Sequence, residues 1–176
     1  NNHVKQILDF FSDSLGVVYP WDKYTISFVD DFVAGGMENT SATTNTAQAL
    51  VHPTLAWESL QNTDGLNAHE TAHQWWGHDG LFSDFANEGL TEFSKYRFVR
   101  SDEGADAIRH ARRAAVERVA KAAADGKSVA LGDIRGWGGG IDAATYSVHA
   151  YDKLAMLIAM TEQAAGEPAM HKLLTS

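Results

Sequence analysis

Two histidines set four apart, with a glutamate beside the first, are the residues of this chain best suited to chemistry: His69-Glu70-Thr71-Ala72-His73. On a helix such a pair projects from one face, one turn apart. Two imidazoles so placed can hold one zinc ion, and Glu70 can reach a water on it. Catalytic zinc takes three protein ligands as a rule and keeps a fourth position open. The chain has no cysteine, so disulfides, cysteine-based zinc sites and iron–sulfur sites are excluded. The third ligand must then be a carboxylate or an imidazole. Glu88, in Asn87-Glu88-Gly89-Leu90-Thr91-Glu92-Phe93, is the leading candidate, on the next expected helix. Glu92 competes with it. The two are four apart, so one can ligate while the other accepts from a histidine's second nitrogen. Glu70 points about 100° round the helix from His69, which suits it to take a proton from water and pass it on.

The elements that must position these residues are read from periodicity. Val4, Ile7, Leu8, Phe11 and Leu15 have helical spacing over 3–15, with Gly16 as the stop. Residues 24–29 alternate like a strand. Gly35-Gly36 marks tight backbone or close approach by a ligand, and the Thr-, Ser-, Ala- and Asn-rich stretch 40–50 reads as an edge strand or loop. A helix capped by Asp64 or Asn67 is expected to carry both histidines and run to Gly77. After a short loop at 78–83, a second begins at Ser83 or Asp84 and runs to about Arg100. A third covers 103–124, with Ile108, Ala111, Ala115, Val116 and Val119 as its buried stripe. Its Arg109, Arg112, Arg113 and Arg118 read as a solvated face without chemistry. The Gly-rich stretch 136–140 follows Trp137, then a long helix over 142–164 and a short one near 168–175. His52, His78 and His149 have no ligand spacing and read as surface or core residues, and Trp75 and Trp76 as packing for the histidine helix.

At 176 residues the chain has the length of one domain, with no internal repeat or linker. Its net charge of −9 argues against nucleic acid or an anionic membrane as partner. No stretch approaches the roughly 20 apolar residues of a membrane span. The opening Asn1-Asn2-His3-Val4 has no basic region and no initiating Met, which points to a processed chain or an excised piece.

Three segments together resemble the signatures of the gluzincin aminopeptidases, the alanyl (membrane-type) enzymes and their leukotriene hydrolase relatives. They are His69-Glu70-Thr71-Ala72-His73-Gln74-Trp75-Trp76-Gly77, Asn87-Glu88-Gly89-Leu90-Thr91 and Gly35-Gly36-Met37-Glu38-Asn39. Tyr151-Asp152-Lys153 is similar to the family's Tyr-x-Lys-Gly, and the motifs come in the right order over nearly the whole chain. The resemblance implies one Zn2+ ion and a peptide substrate with a free amino terminus. It implies that Glu38 binds the substrate's α-amino group and that Tyr151 donates its phenol to the developing oxyanion. A carboxylate pairing with that amine measures distance to the metal, so only the first peptide bond reaches the water. The glycines of Gly35-Gly36-Met37-Glu38-Asn39 let backbone approach the substrate.

Two departures stand out. The family separates its second histidine from the ligand glutamate by eighteen residues. Fourteen separate His73 from Glu88, and Glu92 restores the eighteen. Local context favours Glu88, because a shorter turn between antiparallel helices is tolerated. The second departure is Leu154 where the family has glycine, which is expected to narrow or reshape the site near Tyr151. The family's flanking domains, an amino-terminal β-rich one and a carboxy-terminal helical one, have no counterpart in these 176 residues. The chain is therefore read as α+β, mainly α. It is a single thermolysin-like zinc metallopeptidase catalytic domain over 1–176, with a small N-terminal β portion followed by a helical bundle. The rival readings are a zinc endopeptidase with no need of Glu38, and a non-catalytic zinc- or peptide-binding fragment.

Overall fold

In a computed structural model, residues 2–50, 56–77, 84–134 and 140–176 are described. The loop 78–83, the Ser83 cap, His52, His78 and the stretch 136–139 with Trp137 lie outside the described residues. The architecture is mainly helical with one small sheet, as the sequence implies.

Helix α1 (Asn2–Leu15) buries Ile7, Phe11 and Leu15, each four after the last, and ends at Gly16, whose φ of +69° lies in the left-handed region. The sheet has the order β1-β3-β2, from β1 (Thr25–Val29), β2 (Gly36–Met37) and β3 (Ala42–Thr46). Strand β3 runs parallel to β1 and antiparallel to β2. It is central, not an edge. Its polar sequence disguises this, because the fully buried Thr43 and Asn45 have polar partners: the hydroxyls of Thr43 and Tyr24 lie 2.5 Å apart, and the Asn45 amide donates to Asn67 Oδ1 at 3.0 Å.

Helix α2 (Ala56–Ala72) begins well before the expected caps, so Asp64 and Asn67 are interior residues. Their side chains point sideways, Asp64 to His3 at 2.8 Å and Asn67 to the sheet. The helix also stops at Ala72. Residues 73–77 form tighter turns, with Gln74 and Trp75 donating to the carbonyls of Thr71 and Ala72. Helix α3 (Asp84–Glu103) lies against α2, and α4 (Ala105–Ala124) follows it after Gly104. Trp76 is buried among Ile7, Phe11 and Phe98, and the indole of Trp75 donates to the Val17 carbonyl, so both tryptophans pack as expected.

On α4, Ile108 and Ala115 are buried but Val116 is exposed, so the stripe is narrower than its apolar pattern suggests. Arg109 and Arg113 are solvated. Arg112 instead lies 5.9 Å over the Tyr96 ring, and Arg118 grips Asp152, which corrects their reading as a bare solvated face. The long helix expected over 142–164 is three pieces: α5 (Ala143–Ser147), a π-helical turn (Val148–Lys153) and α6 (Leu154–Ala165). Asp142 caps the first, accepting from the Thr145 amide at 2.9 Å. The short terminal helix is α7 (Glu167–Leu174). No described helix is long and apolar enough to cross a membrane.

Candidate active site

The last turn of α2 and the turn after it place His69 and His73 with their Nε2 atoms 3.2 Å apart. Their other nitrogens are occupied. His69 Nδ1 lies 3.0 Å from Glu92 Oε2, and His73 Nδ1 lies 2.8 Å from Asn87 Oδ1 and 3.1 Å from Thr91 Oγ1. A carboxylate and an amide oxygen can only accept, so each ring donates through Nδ1, which leaves Nε2 as the nitrogen able to present a lone pair inward when the ring is neutral. Glu88 joins them from α3, its Oε2 3.3 Å from His69 Nε2 and 3.5 Å from His73 Nε2.

That oxygen is buried and has no hydrogen-bond partner among the described residues. Three electron-pair donors converging on one point, one of them an orphaned carboxylate oxygen, suit a divalent cation with nitrogen and oxygen ligands. The electrostatics agree. Burial alone would push His69 down, yet Glu88 and Glu92 outweigh it and hold its pKa up at about 10. Burial likewise opposes ionisation of Glu88, but the two histidines bring it down to about 2. Glu92 is held well below the usual carboxylate range against its burial by the Lys95 ammonium, 2.5 Å away, and by His69. The locality favours a positive charge.

Glu70 faces the cleft from α2, a carboxylate oxygen within 4.8 Å of a His73 ring nitrogen. Burial raises its pKa, His69 and His73 lower it, and Glu38 and Glu88 raise it further, so it lies above the ordinary value. Its carboxyl lies against the backbone of Gly36, where a Cβ would collide with it. Gly35 has no such constraint, since a Cβ there would make only an ordinary contact with Leu66.

The sheet brings Glu38 close enough for one carboxylate oxygen to lie within 4.8 Å of ligand atoms on both Glu70 and His73. Glu38 is half-buried. Gln74 fixes its backbone, donating to the Glu38 carbonyl at 3.0 Å while accepting from the Ser41 amide at 2.8 Å. Met37 lines the same cleft; Asn39 does not, its amide being directed to Thr44 Oγ1 at 3.4 Å.

Tyr151 closes the site from the π-helical turn, its ring stacked on His69 at 5.7 Å. Burial, then the Glu88 charge, drives its pKa far above that of a free phenol. Leu154 packs against Gly89, where a Cβ would collide with it. His149 is a core residue, its Nδ1 2.8 Å from the Thr145 carbonyl and its Nε2 accepting from the Val129 amide at 3.0 Å. The groups surround a cleft of about 1550 Å³.

Sequence reasoning passed over the roles of Asn87, Thr91 and Gln74, although all three sit inside the quoted motifs. The available signal was their position one or three residues from a ligand candidate, where a hydrogen-bonding side chain can orient an imidazole or a neighbouring strand.

Residues 1–176 match the peptidase family M1 domain along their whole length. The chain is 34% identical over 104 residues to Aminopeptidase 2 of Candida albicans, covering 54% of this chain and 11% of that protein. It is 31% identical over 97 residues to human endoplasmic reticulum aminopeptidase 1 and 34% over 97 residues to rabbit aminopeptidase N, each match covering 51% of this chain and 10% of the relative. These matches span about a tenth of the curated relatives' length. A crystal structure of a mutant M1 zinc metallopeptidase from Deinococcus radiodurans shares the fold, with a TM-score of 0.69 at 19% identity over 99% of this chain and 36% of that one. The chain belongs to peptidase family M1.

Proposed function

We propose that the chain is the catalytic unit of a zinc-dependent aminopeptidase that hydrolyses the first peptide bond of substrates with a free amino terminus. The carrying observation is the convergence of His69 Nε2, His73 Nε2 and Glu88 Oε2 beside Glu70 and Glu38. His69, His73 and Glu88 hold one Zn2+ ion, while Glu92 orients His69; the Glu92–His69 Nδ1 contact supports this division over Glu92 as the ligand. Zinc supplies Lewis-acid polarisation of water and of the scissile carbonyl.

The protein's own groups do the rest. Glu70 accepts a proton on its carboxylate and returns it to the leaving amine, and its burial-raised pKa suits a group that must act in both directions. Glu38 pairs with the substrate ammonium, so the length of one residue separates that anchor from the bond to be cut. Tyr151 stays protonated and donates its hydroxyl to the carbonyl oxygen as charge gathers there. The small sheet and helical bundle around the metal are proposed to correspond to the thermolysin-like arrangement, and the chain to work within a longer multidomain protein, as its relatives' length suggests.

Turnover of aminoacyl p-nitroanilides by full-length Glu70→Gln, with zinc content measured in parallel, tests the reading. A fall in kcat of about 10²- to 10⁴-fold at unchanged zinc content is expected. Normal turnover would sink the mechanism, and cleavage of N-terminally blocked peptides would favour an endopeptidase.

A further inference from the structure

Tyr151 sits on the one described helix segment with an i→i+5 pattern, Val148–Lys153. A π turn is wider and less favourable than an α turn, so it persists where something outside the helix holds it. Here three consecutive ties surround Tyr151. His149 Nε2 accepts from the Val129 amide at 3.0 Å, and Lys153 Nζ donates to the Val129 carbonyl at 2.7 Å. Between them Asp152, only 9% exposed at its side chain, receives a bidentate grip from Arg118 of α4, Nε at 2.7 Å and Nη2 at 2.8 Å.

The direction of these ties is informative. Asp152 and Lys153 tie the turn to α4 and to residue 129, while the Tyr151 ring stacks on His69. Relaxing the π turn to α would rotate and shift the residues around it. A hydroxyl that must meet a developing charge tolerates little misplacement. The Arg118 fork fixes Asp152, the residue adjacent to the phenol.

We propose that Arg118 and Asp152 are positioning residues for the reaction: their bidentate pair holds the π turn in the register that aims the Tyr151 hydroxyl at the reacting carbonyl. This rests on the role of Tyr151 proposed above and adds to it a control point on α4, a helix whose sequence carries no catalytic motif.

The test uses the full-length, zinc-loaded protein. Asp152→Asn and Arg118→Gln are each expected to lower kcat about 10-fold with KM within about 2-fold and zinc content unchanged. Arg118→Lys keeps the charge without the fork and is expected to fall between. In a Tyr151→Phe background the same substitutions should cost less than about 2-fold, because the group they position is gone. In the metal-free protein, the 19F signal of fluorotyrosine at Tyr151, identified by its absence from Tyr151→Phe, should move in Arg118→Gln.

An equal loss in the Tyr151→Phe background, a loss confined to KM, unchanged kcat or an unmoved fluorine signal in Arg118→Gln each overturns the proposal. Should Asp152→Asn fail to fold, Arg118→Gln carries the test alone, since that side chain is half exposed. Full activity in Tyr151→Phe would remove both this proposal and the role of Tyr151. A slow Tyr151→Phe with unaffected Arg118 and Asp152 variants would remove this proposal only.

Discussion

The two walls of the cleft are built on different terms. The helical wall, from α2 and α3, is buried and interlocked. His69, His73, Glu88 and Glu92 are each under 10% exposed, and both imidazoles are fixed at Nδ1 by side chains of the facing helix. The sheet wall, from Gly36 to Glu38, is a two-residue strand and the half-buried glutamate after it, and Gln74 fixes the Glu38 backbone. One wall carries the proposed metal ligands and the other the proposed substrate anchor. The difference teaches that holding an ion demands preorganised donors, whereas receiving a peptide needs a wall that leaves room for it.

If the walls are distinct in this way, substitutions on them should separate into different kinetic classes. The largest effect is expected where they touch. Gly36→Ala places a methyl against Glu70, and displacing that carboxylate should lower kcat about 10²-fold at unchanged zinc content. Loss of zinc in this variant would show that the walls are one unit. On the helical wall, Glu92→Gln should raise the zinc Kd about 10- to 100-fold by weakening its bond to His69, as read by competition with a chelator. An unchanged Kd would contradict the role given to that contact. On the sheet wall, Glu38→Gln should leave zinc affinity alone and lower kcat/KM for free-amine substrates about 10-fold, the cost of one charge-assisted bond. Blocked substrates should be indifferent to it; if they suffer equally, Glu38 is not the amine's partner. Gln74→Ala should be mildest, raising KM about 5-fold through loss of a neutral hydrogen bond that holds the strand. A fall in its zinc content would reassign Gln74 to the helical wall.

The unequal construction also explains what could be read from sequence. Helix α1 was legible because Ile7, Phe11 and Leu15 form an apolar stripe with nothing functional on it. Helices α2 and α3 are poorly amphipathic, because many of their buried residues are polar: Asn67, His69, Glu70 and Thr71 on α2, with Asn67 and Thr71 turned to the sheet segment, and Glu88, Thr91, Glu92 and Ser94 on α3. Periodicity therefore misplaced the start of α2, and the motif spacing, not the hydrophobic pattern, pointed to the residues that converge, His69, His73 and Glu88. Strand β3 was obscured for the same reason, since Thr43 and Asn45 are buried but polar. Val116 failed in the opposite sense, being apolar and exposed. The π turn and the Arg118–Asp152 pair had no local signal, because both depend on where α4 comes to lie beside α5 and α6. Glu88 over Glu92 could be preferred from local context, but it took the facing helix to assign the two carboxylates to different nitrogens of the same histidine.

Leu154 against Gly89 carries a consequence of another kind. A branched side chain on one helix occupies the volume that a missing side chain on the other leaves free. Two sites far apart in sequence thus share a single packing space, and neither is free to drift alone. Alanine at 89 would demand that Leu154 retreat, and glycine at 154 would leave a void beside the residue that follows Glu88. In this chain the residue next to the tyrosine motif packs on the helix that carries Glu88, so the two motifs would have to vary together.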